Sequence, residues 1–106
     1  GHLACSGDML LNALVACAGV TLNAVATSLG FELGDAQVFA EGDLDFRGTL
    51  GVDKSAPVGF TAIRLRFKVD GALSEEQRAT LLKLTERYCV VLQTLRTPAT
   101  LSAEIV

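Results

Sequence analysis

The chain has 106 residues, half of them apolar, with nine basic against twelve acidic side chains and a formal net charge of −3. That size and apolar content suit one domain with a substantial core, and a second domain is not expected. Scattered lysines and arginines offer no nucleic-acid groove and no patch for an anionic membrane, and three cysteines without a CxxC pair match neither a zinc site nor a secreted disulfide scaffold, so a reducing, cytoplasmic setting is expected.

No basic-then-apolar signal segment opens the chain. It begins at Gly1 without a methionine and turns helical almost at once, so upstream sequence is expected to be missing. Ser6 can cap a first helix and Gly30 can end it, and the Leu- and Ala-rich stretch between them predicts a helix from about Gly7 to Leu29. Its longest apolar run, Ala13–Val20, is bounded by Asn12, Thr21 and Asn23, the pattern of a buried helix rather than a membrane span. At about 100° per residue, Asp8, Asn12, Gly19, Asn23 and Thr27 share one sector. Leu10, Leu14, Cys17, Thr21 and Ala24 lie roughly opposite, so Cys17 is expected to face a core or an interface.

Between residues 31 and 69 the pattern turns to extended chain, first in AQVFAEGDLDF and then in GFTAIRLRFKV. The second alternates Ala62, Arg64, Arg66 and Lys68 with Ile63, Leu65, Phe67 and Val69, a strand with one wet face. RGTLGVDKSAPVG, between them, reads as the loop of an antiparallel hairpin. Ser74 and Gln77 form a capping box, and Glu75 and Glu76 in the first turn complement the dipole of a second long helix. Leu82, Thr85, Cys89 and Leu92 recur there at three- and four-residue steps, placing Cys89 on the buried side with Leu81, Leu84 and Tyr88 flanking it. Pro98 ends the helical region, and ATLSAEIV is expected to form a closing strand.

By periodicity alone, a cysteine on an apolar helix face is a small hydrophobe. The local wording says more. CSGDMLLNALVACAGVTL resembles the helix of the OsmC/Ohr family, which reads PxELLLAALGACxAMTL, and SEEQRATLLKLTERYCVVLQTL resembles that family's second-cysteine segment, a serine-capped helix running into a CPV-type motif. The order of the two segments, their separation and the strand-rich stretch between them match as well, so the resemblance covers nearly the whole chain.

The resemblance implies an α+β fold in which a long central apolar helix packs against an antiparallel sheet within an intertwined homodimer. It makes residues 1–106 a single OsmC-like domain lacking its N-terminal strands. It also implies a cysteine-based peroxidase of the oxidative stress response, reducing organic hydroperoxides and recycled by a small or protein dithiol, with no metal, haem or flavin. Cys17 takes the place of the attacking thiol, Cys89 that of the resolving thiol, and Asp8 that of the family's acidic residue ahead of the first cysteine. In such chemistry a thiolate attacks a peroxide oxygen, an alcohol leaves, and the sulfenic acid condenses with the second thiol. Two other readings compete: a non-catalytic relative serving as a small-molecule-binding or structural protein, and a thiol enzyme with a non-peroxide substrate.

Several positions depart from the family pattern or leave their roles open. Asp8 is one methylene shorter than the usual Glu and lies across a straight helix from Cys17, so it either anchors a cation that activates the thiolate or interacts with the helix dipole. The family's activating arginine lies in a strand upstream of this helix; within this chain Arg47, Arg87 and Arg96 are the candidates. Val90 stands where the family has proline, so the helix need not break at Cys89. Thr21, one turn beyond Cys17, reads as bonding its own helix carbonyl. His2 and Cys5 are spaced like metal ligands, but no second pair accompanies them and they read as incidental.

Overall fold

Helix α1 spans Ser6–Leu29 and stops where expected, at Gly30. Gly30 takes a left-handed φ of 72°, and the Phe31 N–H reaches back to the Ala26 carbonyl at 2.9 Å, so the helix end is closed by a residue that bears no Cβ strain. The computed structural model describes residues 6–106, without the side chain of Ser6; His2, Cys5 and the expected Ser6 cap lie outside the described residues. Strand β1 (Ala36–Asp43) follows, then a one-turn helix α2 (Phe46–Thr49), strand β2 (Ala62–Val69), helix α3 (Glu75–Tyr88) and helix α4 (Val90–Arg96).

The hairpin expectation holds: β1 and β2 pair antiparallel from Ala36↔Val69 to Asp43↔Ala62. Alternation then sorts the side chains. Val38, Ala40, Ile63, Leu65, Phe67 and Val69 turn to the helices, while Arg64 on the outer face donates to Glu41 at 3.0 Å and bidentately to Asp43 at 3.0 and 2.9 Å. The segment expected as a plain loop contains α2, whose first turn is capped by the Asp45 carboxylate accepting from the Arg47 N–H at 3.0 Å. Phe60 wedges between α1 and the end of β1. A Cβ on Gly42 would come within 2.6 Å of its ring, so the close approach requires glycine there.

The core has two parts. Leu22, Ala26, Leu33 and Leu81 form one cluster and Leu14, Ala18 and Cys89 the other; Phe67 packs against both. The buried stripe of α1 is therefore Leu14, Ala18, Leu22 and Ala26, rotated from the predicted one. Leu14 is common to both, Cys17 and Thr21 sit half-buried at its flank, and Ala24 is exposed. By length and composition α1 could cross a membrane, but here one face is covered by the sheet, α3 and α4.

Helix α3 begins with the predicted box: the Gln77 N–H donates to Ser74 Oγ at 3.1 Å and the Ser74 N–H to Gln77 Oε1 at 2.9 Å. Its buried side runs through Leu81, Thr85 and Cys89, leaving Leu82 46 % and Tyr88 59 % exposed. Two expectations need correction. The helix does break at Cys89, whose φ and ψ of −76° and 109° are extended, although no proline follows. And residues 99–106 form no strand: Leu101 and Ile105 are 87 % and 102 % exposed, because a segment of strand-like composition needs a ladder partner and none lies beside it among the described residues.

Candidate active site

The break at Cys89 is what builds the site. In a continuous helix the Glu86 carbonyl would accept from the Val90 N–H. Instead the Gln93 side-chain amide donates to the Glu86 carbonyl at 2.7 Å, so that acceptor stays satisfied. Cys89 remains tied to both helices, its N–H bonded to the Thr85 carbonyl and its carbonyl accepting from the Gln93 N–H, each at 3.0 Å. The first amides of α4 are left without helical partners, as at any helix start.

Those amides serve Cys17. Its sulfur lies 3.4 Å from that of Cys89, across 72 residues of sequence, and both thiols are free. The Val91 backbone N–H, before all else, draws the Cys17 pKa below its ordinary value; partial burial works the other way, and the Cys89 thiol and the Val90 N–H reinforce the lowering. Thr21 adds least, since its hydroxyl donates to the Cys17 carbonyl at 2.9 Å, the bland role read from its position. Cys89 is pushed the opposite way, first by burial, with the Leu92 N–H opposing and the neighbouring Cys17 adding to the rise. The pair therefore differentiates into a thiolate-prone Cys17 and a protonated Cys89 that donates to it.

None of the arginines considered from the sequence acts on Cys17. Arg47 forks onto Asp45 and reaches Asp53 at 3.9 Å, and Arg96 pairs with Glu86 at 3.4 Å. Arg87 lies over the Tyr88 ring, 5.5 Å from its centroid. Asp8 is exposed in the first turn of α1, nine residues before Cys17, roughly 13 Å away along the axis and on the opposite side. Helical periodicity thus turned each cysteine inward, but the Val91 amide was missed because a backbone donor leaves no side-chain signature. Among the described residues no cluster of three or more His, Cys, Asp or Glu side chains could hold a metal ion.

The wall beside the sulfurs is apolar: Val38, Ala40, Ile63, Leu65, Phe67, Val91, Leu92 and Leu95 pack on the Leu14, Ala18 and Cys89 cluster. A cleft of about 410 Å³ shares Ile63, Leu65, Leu92 and Leu95 with that wall and has Arg96 among its lining residues.

The family description for OsmC-like proteins matches residues 2–104. No curated protein matches the chain. Among solved structures, an OsmC-like protein from Mycoplasma pneumoniae superposes with a TM-score of 0.73 at 21 % identity, covering 85 % of this chain and 60 % of that one. A Legionella pneumophila protein described as an organic hydroperoxide resistance protein OsmC, predicted redox protein and regulator of sulfide bond formation gives 0.71 at 18 % identity, covering 92 % and 65 %. The matched chain therefore spans less than two thirds of either relative.

Proposed function

This chain belongs to the OsmC-like protein family, and on that footing we propose that it is a thiol-dependent peroxidase that reduces organic hydroperoxides through Cys17 and Cys89. The observation that carries the reading is the 3.4 Å sulfur pair with opposed pKa directions. The Cys17 thiolate attacks the terminal peroxide oxygen, the O–O bond breaks, and the organic oxygen leaves with a proton as an alcohol. Cys17 is then a sulfenic acid. Cys89 attacks that sulfur, water leaves, and a Cys17–Cys89 disulfide remains, which a small or protein dithiol reduces in a cytoplasmic, reducing setting. The apolar wall favours an organic over a bare peroxide. Asp8 takes part only by anchoring a cation that reaches back toward the sulfur.

Oxidation with one equivalent of cumene hydroperoxide tests the reading. Two thiols should disappear per peroxide, and peptide mapping should link Cys17 to Cys89. Cys17→Ser should abolish consumption, and Cys89→Ser should allow one turnover and accumulate a trappable sulfenic acid. Both cysteines remaining alkylatable after oxidation would sink the mechanism.

The working form is a homodimer. The single chain exposes 7907 Å², against roughly 5,700 Å² for a compact monomer of its 11.1 kDa mass. Its radius of gyration is 16.7 Å, where about 13 Å is ordinary for a domain of this length. Exposed Met9 and Val20 on α1 and the apolar segment 99–106 supply surface for a second copy. Light scattering at micromolar concentration should return the dimer mass; a cooperative monomer would refute it.

A further inference from the structure

The α3–α4 break also has an outward side. A groove of about 400 Å³ lies there, with Arg87, Tyr88 and Cys89 among its lining residues. Every arginine but one has its charge or its N–H groups engaged. Arg47, Arg64, Arg66 and Arg96 face carboxylates, and Arg78 donates to the carbonyls of Val69 and Gly71 at 3.1 and 3.0 Å. Arg87, exposed at the groove, has neither an ion pair nor a hydrogen bond among the described residues and only the Tyr88 ring beneath it. The one uncommitted arginine among the described residues therefore stands two residues from the buried cysteine.

We propose that this groove receives a thiol reductant that carries a negative charge, held by Arg87, and that this reductant attacks the Cys89 sulfur of the oxidised pair. The inference rests on the disulfide chemistry proposed above. The incoming thiolate bonds to Cys89 Sγ as the Cys17–Cys89 bond breaks, and the electron pair leaves on Cys17. A second thiolate, from the same or another reductant molecule, attacks the reductant sulfur of the mixed disulfide; Cys89 leaves and takes up a proton. Two reductant thiols become one disulfide while the protein disulfide becomes two thiols.

The direction of exchange follows from the leaving group. Exchange is faster when the departing thiol has the lower pKa, and the α4 amides favour Cys17 as the departing thiolate. Cys89 itself has no exposed surface, so bulk collision does not reach it. The groove borders Cys89 where helix hydrogen bonding is already interrupted, so a seated reductant reaches the sulfur when that junction opens.

The test compares mercaptopropionate with neutral mercaptopropanol, thiols of the same reach, on the oxidised protein, each rate being corrected for its thiolate fraction. At low ionic strength the anion should reduce the wild type faster by about two- to fivefold, the range of one exposed charge pair. That preference should vanish in Arg87→Gln, invert in Arg87→Glu and fade in high salt. A stoichiometric pulse should leave the mixed disulfide on Cys89. An equal anion preference in all three proteins, or a mixed disulfide on Cys17, would overturn the inference. Installing the disulfide with diamide separates the two readings: a wild type that peroxide does not oxidise counts against the peroxidase, while the reductant comparison still runs.

Discussion

Replacing Thr85 with valine should make the protein more stable. Thr85 is 0 % exposed, and its hydroxyl has no hydrogen-bond partner among the described residues. A buried, unpaired hydroxyl costs about 1–3 kcal/mol, and valine keeps the shape while placing a methyl where the oxygen was. The expected gain is about 1 kcal/mol or more, equivalent to a rise in Tm of roughly 4–8 °C in a domain of this size. Urea denaturation of the two proteins side by side, with unchanged m-values, gives the difference. A loss of about 1 kcal/mol or more would refute the reasoning, because only a hydroxyl engaged in solution is destabilising to remove. Thr85→Ser controls for the methyl, and a double-mutant cycle with Cys89→Ala tells whether the partner is the sulfur one turn on.

Val91→Pro deletes the amide that chiefly favours the Cys17 thiolate, so the pH profile of Cys17 alkylation should move upward; Val90→Pro, at the first helical position where proline is tolerated, should move it less. Identical profiles in the three proteins would refute the amide account. In the wild type, the lowered Cys17 pKa and raised Cys89 pKa mean that on acidification Cys89 alkylation should fail first and Cys17 alkylation persist to lower pH, a sequence that site-resolved mass spectrometry reads directly. Leu14→Ala, at a fully buried position in the thiol-side cluster, should lose about 2–5 kcal/mol in denaturant titration. Gly42→Ala drives a methyl into the Phe60 ring and should lose about 1–3 kcal/mol by the same measurement.

Local chemistry was legible in the sequence. The Gly30 stop, the Ser74–Gln77 box and the β2 alternation each depend on residues a few positions apart, and all three stand as read. What was not legible depends on distant partners. The break at Cys89 needs the Gln93 amide to cover the Glu86 carbonyl, and nothing around Val90 announces it. The sequence pointed to an arginine for the Cys17 thiolate, but backbone amides from a helix more than seventy residues away do that work. Residues 99–106 have strand-like composition, yet pairing belongs to two segments and composition to one. The approach of the two sulfurs to 3.4 Å was implied by family resemblance; periodicity alone gave only two cysteines facing inward.

Phe67 joins the two halves of the core. The Leu22, Ala26, Leu33 and Leu81 cluster and the Leu14, Ala18 and Cys89 cluster could each open alone, but the Phe67 ring packs on both. Partial opening beside Leu33 removes one wall of that ring and loosens its seat against the thiol-side cluster. The closed Cys89 thus works as a native reporter of sub-global unfolding: its labelling rate in mild denaturant records fluctuations that begin at the far end of the molecule.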